Sequence, residues 1–183
     1  MVTDAQWTFE PSDDAVLRIE TGVTGKAARM GHRLTIVVTR WHATVDCDGD
    51  QPATVQLTAD VDSIDVVDGD GGVTPLLGPE KLLARSNALK NLEAGRFPHI
   101  LFRSDAIDAT DAGFRLVGTL EIHGVIRDHS VDLTVTDEGD TWRLSTESVV
   151  RQSDHGIKPY SQLMGAMKVV DEVTVSFTAT RSK

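Results

Sequence analysis

Most long segments of this chain carry apolar residues at every second position. The clearest runs are Val55, Leu57, Ala59 and Val61; Phe114, Leu116, Leu120 and Ile122; Val131, Leu133 and Val135; and Val173, Val175, Phe177 and Ala179. Successive side chains on a strand point to opposite faces, so each run predicts a strand with one buried and one wet face. Residues 7–20 predict one or two short strands around a turn at 11–14. Leu34, Ile36 and Val38 lie on one parity, whereas Trp41, Ala43 and Val45 lie on the other. That switch predicts a bulge near Thr39 and Arg40 that bends the strand. Further strands are expected at 53–61, 100–107, 114–122, 127–135, 142–150 and 169–181.

Between 79 and 94 the period changes to that of a helix. Leu82, Leu89 and Leu92 share a side with Leu83 beside them, Pro79 suits the first turn, and Gly95 suits the end. This amphipathic helix is expected to pack over an open end or seam of the strands, the alternative being a mobile lid. The expected fold is all-β: a closed antiparallel barrel of about eight strands with one helix at 79–94, forming a single domain over 1–183. Such a barrel has an interior filled either by side chains or by one slender ligand. Strand parity selects Leu34, Ile36, Phe102, Phe114, Leu116, Leu120, Ile122, Trp142, Leu144, Val175 and Phe177 as its lining; for each, a filled core is the competing reading.

Composition narrows the function classes. An apolar content of 40% and a charged content of 25% suit a soluble globular domain. The net charge of −10 opposes nucleic acid and anionic membrane surfaces, whose affinity comes from Lys and Arg. There is no run of about 20 apolar residues for a transmembrane segment, and residues 1–14 are acidic without a signal-like stretch, so a cytoplasmic location is expected. The single cysteine, Cys47, excludes an internal disulfide and fits a reducing compartment. It falls in an acidic turn, 46–50, where negative charge would raise its pKa. A homodimer is compatible with the sequence but not specified by it.

Chemistry-bearing motifs are sparse. Residues 65–72 hold three aspartates and three glycines, which reads as a solvated turn; the closing Glu of a calcium loop is missing, since position twelve is Leu76 or Pro79. The six histidines, His32, His42, His99, His123, His129 and His155, show no metal-binding spacing. His123 and His129 flank residues 124–128 and would meet only if that turn folded them together. Ser153, Asp154 and His155 contain the letters of a triad, yet contiguous residues on an extended chain point apart. No catalytic residue, metal or cofactor is therefore expected, and a hydrolase or isomerase would need polar groups converging on His123 or His155 inside a cavity. The segment 156–167, with Tyr160, Met164 and Met167, is the least strand-like part of the C-terminal half. It reads either as a packed rim loop or as a ligand mouth where His155, Lys158 or Tyr160 meets a polar head group.

Three stretches taken together resemble the YceI-like family. They are Phe97-Pro98-His99-Ile100-Leu101-Phe102-Arg103-Ser104, then Gly118-Thr119-Leu120-Glu121-Ile122-His123-Gly124-Val125-Ile126-Arg127, then Ser153-Asp154-His155-Gly156-Ile157 leading to Val169-Val170-Asp171-Glu172-Val173. Gln152 stands where the family pattern has Arg, and His155 where it has Phe. The resemblance implies a lipocalin-like antiparallel barrel that binds a polyisoprenoid lipid in its interior. The protein would then sequester or carry an apolar isoprenoid or isoprenoid quinone and transform nothing. The rival reading is a non-enzymatic protein-interaction domain with a filled core.

Overall fold

Runs of branched and aromatic residues become strands where they can hide one face, and eleven of these strands join in one antiparallel sheet. A computed structural model describes residues 5–183; residues 1–4 of the acidic opening stretch lie outside them. The first half contains β1 (Gln6–Phe9), β2 (Ala15–Glu20), β3 (Val23–Thr24), β4 (His32–Val38), β5 (Trp41–Asp48), β6 (Gln51–Asp60) and β7 (Ile64–Gly71). The helix α1 (Gly78–Asn91) follows. Then come β8 (His99–Ala109), β9 (Gly113–Ile122), β10 (Val125–Asp137), β11 (Thr141–Arg151), β12 (Ser161–Gln162), β13 (Met167–Val169) and β14 (Glu172–Ser182). The large sheet has the order β1-β5-β6-β8-β9-β10-β11-β14-β2-β4-β7, and β12-β13-β3 form a separate small sheet.

This architecture corrects the expected closed barrel of about eight strands. The sheet is a curled half-barrel of eleven strands whose ladder ends at β1 and β7. The reason lies at one corner. Where a bulge was expected, the chain breaks at Thr39 and Arg40, and directly opposite it breaks again at Val61–Ser63, so β4 runs on into β5 and β6 into β7. β4 pairs with β7 at one end of the ladder, and β5 pairs with β6 at the other. Chain continuity through two bent strands, rather than a closing ladder, joins the ends. Ser63, 4% exposed, satisfies the bend: its hydroxyl donates to the Asp60 carbonyl at 2.8 Å and accepts from the Arg40 N–H at 3.0 Å. The Arg40 guanidinium also meets Asp60 and Asp62.

Three other expectations are corrected. Residues 65–71 of the expected turn 65–72 belong to β7, because Ile64 and Val66 are buried while Asp65 and Asp68 are exposed. Carboxylates pointing outward blunt such an edge strand against further pairing. The helix spans Gly78–Asn91 rather than 79–94, and Glu93, not Gly95, takes the left-handed conformation after it (φ 48°). Its inward stripe includes Ala84, Ala88, Leu89 and Leu92, while Leu82 is 68% exposed. Cys47 lies in β5 rather than in a turn, and burial, more than its acidic neighbours, pushes its thiol up.

One glycine is required by close approach. A Cβ on Gly118 would lie 1.9 Å from the Arg103 carbonyl, beside the irregularity at Ser104 where β8 bulges against β9. Ser104, 3% exposed, donates its hydroxyl to the Val117 carbonyl at 2.9 Å and stabilises that bulge. The packed core is concentrated at the β4–β5 bend. Trp41, Val38, Ala59, Ile64 and Val66 meet there, and Phe177 packs edge-on to both Trp41 and Phe9.

Candidate functional site

Beyond that corner the interior is hollow. The inward faces of the large sheet, the stripe of α1 and the small sheet enclose a cavity of about 520 Å³, within the roughly 300–1,000 Å³ of small-molecule sites. Its wall is overwhelmingly aliphatic: Leu17 and Ile19 on β2, Leu34 and Ile36 on β4, Val55 and Leu57 on β6, Val131 and Leu133 on β10. Even the most enclosed large side chains keep some exposure, with Val66 at 3%, Val38 at 4% and Trp41 at 5%. Interiors packed solid leave few voids larger than a water molecule; this one has room for a guest.

Exposure locates the mouth. The wall residues that are themselves exposed, Met30, Glu80, Leu83, Gln162 and Lys168, belong to α1, the small sheet and the turn before β4. The cavity therefore opens between α1 and the small sheet. A hydrogen bond spans this opening, from Asn91 Nδ2 of α1 to the Lys158 carbonyl at 3.0 Å. The Gln162 amide donates to the Tyr160 hydroxyl at 2.9 Å on the same rim.

Deeper in the wall one polar patch interrupts the aliphatic surface. His129 on β10 and Thr146 and Ser148 on β11 share the inward parity of Val131 and Leu144. His129 Nε2 lies 3.2 Å from Ser148 Oγ, and the imidazole packs edge-on to Phe102. Burial, with a smaller effect of nearby His155, holds the His129 pKa below its ordinary value, which favours the neutral ring. A neutral imidazole keeps one donor and one acceptor. The patch can thus offer a hydrogen bond to a carbonyl or hydroxyl on an otherwise apolar guest.

Of the fourteen candidate ligand-contacting residues, eleven in the lining and His155, Tyr160 and Met164 at the mouth, ten border the cavity: Leu34, Ile36, Phe102, Leu116, Leu120, Ile122, Leu144, Tyr160, Val175 and Phe177. Four do not. Phe114 and Trp142 have the right parity but sit at the strand ends remote from α1, and Trp142 lies under the Lys183 ammonium at 4.3 Å. His155 is buried outside the wall, its Nδ1–H donating to the Val125 carbonyl at 3.0 Å. Met164 points fully into solvent, and Met167 takes the lining position instead. Leu57, Leu133, Ile19, Met167 and His129 were missed, although β6 and β10 alternate in the sequence and His129 lies two residues before Val131.

The other candidate chemistry is dispersed. Ser153 through His155 form a short 3₁₀ turn rather than an extended segment, and the Ser153 hydroxyl and N–H both donate to the Asp171 carboxylate, away from His155. The turn between β9 and β10 is only His123 and Gly124, so His123 and His129 remain apart. His123 instead bonds the Glu93 carboxylate at the rim. Among the described residues no helix is long and apolar enough to cross a membrane.

These features define a curled β-sheet protein whose centre is an apolar cavity open at one end. Within that class the chain belongs to the YceI-like family, matching the YceI-like domain over residues 7–180. In fold it is similar to BcnA of Burkholderia cenocepacia, with a TM-score of 0.67 at 19% identity, covering 92% of this chain and 96% of that one. It is also similar to the YceI protein of Campylobacter jejuni, with a TM-score of 0.61 at 14% identity over 81% and 84% of the two chains. No curated protein matches the chain.

Proposed function

We propose that the protein encloses an elongated apolar lipid of the isoprenoid class in this cavity, and carries or sequesters it without changing it chemically. The observation that carries the reading is the aliphatic, one-ended cavity of about 520 Å³ where a solid core would otherwise stand. Aromatic residues make up only 5% of the chain, which suits a flexible branched hydrocarbon better than a flat ring stack. The family resemblance supports an isoprenoid in particular, and the His129–Ser148 patch supports one with a single carbonyl or hydroxyl. Ser153, His123 and His155 are engaged in hydrogen bonds that hold loops in place, which supports binding rather than turnover.

The energetics are adequate. Burying hydrocarbon yields about 0.8 kcal/mol per CH₂, so each five-carbon unit contributes roughly 3–4 kcal/mol. Two buried units outweigh the lower part of an association cost of roughly 4–15 kcal/mol, and about four are needed to match its upper end. The test is uptake of a labelled polyprenol by delipidated protein, compared with Leu120→Arg. Leu120 is 9% exposed on the wall, and an unpaired guanidinium there opposes an apolar guest. Saturable uptake that the folded variant loses supports the proposal; no uptake by the parent protein sinks it.

A further inference from the structure

The lip of the mouth formed by the small sheet differs from the rest of the molecule in charge and in exposure. Segments 21–34 and 155–170 contain no Asp or Glu, although the chain has 28 and a net charge of −10. They carry Lys26, Arg29, Arg33, Lys158 and Lys168, all exposed, and among the described residues none of the five makes an ion pair. The two segments form one surface: β3 pairs with β13, and the Ala27 N–H donates to the Ala166 carbonyl at 2.8 Å.

Three apolar side chains project from that basic surface. Met164 is fully exposed (107%), Leu163 is 53% exposed and Met30 46%. Leu163 and Met164 are consecutive non-glycine residues in the left-handed region, at φ 53° and 55°. Side chains are rarely held there without a compensating role, and here the strained turn aims two large apolar groups away from the protein. Met30 and Lys168 also border the cavity, so the lip is continuous with the apolar interior.

We propose that this lip docks the protein onto an anionic lipid bilayer. Leu163 and Met164 enter the interface, and Lys26, Arg29, Lys158 and Lys168 meet headgroup phosphates. The mouth then faces the membrane, and a hydrocarbon chain passes between bilayer and cavity without crossing water. The inference rests on the lipid-binding reading above. The overall negative charge does not prevent docking, because at physiological salt charges beyond about 8 Å are largely screened and the local cations dominate.

The experiment is flotation of the full chain with vesicles of phosphatidylglycerol and phosphatidylcholine, or of phosphatidylcholine alone. It is repeated for Met164→Asp and for Lys26→Glu with Arg29→Glu, and polyprenol uptake from cyclodextrin is measured in parallel. Expected are salt-sensitive binding to the anionic vesicles only, at least tenfold loss in both variants, and unchanged uptake from cyclodextrin. Absence of binding, equal binding to both vesicles, equal binding by the variants, or a concentration-dependent dimer that protects Met164 from oxidation would overturn the docking proposal. Vesicle binding without uptake from cyclodextrin leaves the docking surface standing and removes the lipid carrier instead.

Discussion

Leu57→Phe separates a hollow interior from a filled one. Leu57 projects from the middle of β6 into the cavity, between Ala43 on β5 and Phe102 on β8. Phenylalanine adds three carbons. In a close-packed core such an insertion costs about 1–3 kcal/mol through displaced rotamers and backbone. In a cavity of about 520 Å³ the ring has free space beside Phe102. Burying three more carbons at about 0.8 kcal/mol each stabilises the delipidated protein by up to about 2 kcal/mol. The same three carbons of space are denied to the guest, and about 2.4 kcal/mol corresponds to roughly 50-fold weaker binding. Urea unfolding of delipidated protein reads the first quantity, and titration with a polyprenol reads the second. A variant destabilised by 1–3 kcal/mol that binds polyprenol as well as its parent would refute the reasoning on both counts.

Other outcomes follow from particular side chains. The unfolded His129 takes up its proton near 6.5, whereas burial holds the folded residue below that. Stability present above pH 6.5 should therefore decline as the pH falls, by at most about 1.4 kcal/mol per pH unit, and His129→Gln should flatten that slope in urea titrations between pH 7 and about 5. Among the described residues Trp41 Nε1 has no hydrogen-bond partner although it is buried, a defect worth roughly 1–3 kcal/mol. Trp41→Phe removes it along with some packing, so its net cost in urea unfolding should stay under about 1 kcal/mol. Asn91→Leu removes the bond between α1 and the Lys158 carbonyl; amide exchange in α1 should speed up and polyprenol release should accelerate severalfold, whereas unchanged release would take the latch out of the mechanism.

The strands were legible because burial of one face writes period two into β6, β9, β10 and β14. Closure was not legible, because it depends on which strand neighbours which. The parity switch at Thr39 and Arg40 marks a bend but does not say that β4 and β5 take different partners. The stretch 65–72 misled through composition: its aspartates and glycines suit a turn, yet Ile64 and Val66 against β4 outweigh them. Most of the residues that parity selected do lie in the cavity wall. The selection failed for Phe114 and Trp142, since parity gives the face of a strand and not the depth along it. His129 and Ser148 carry the wall's parity, but polar residues on an inward face become visible only when the neighbouring strands are in place. His155 and Met164 lie in irregular backbone, where no period assigns a direction.

The central claim is that the interior holds a hydrocarbon guest. Native mass spectrometry of the protein after mild extraction tests it most directly. The account predicts a population heavier than the bare chain by the mass of one isoprenoid lipid, lost on organic extraction and diminished in Leu57→Phe. Bare chain alone, in repeated preparations and after incubation with polyprenol, would contradict it.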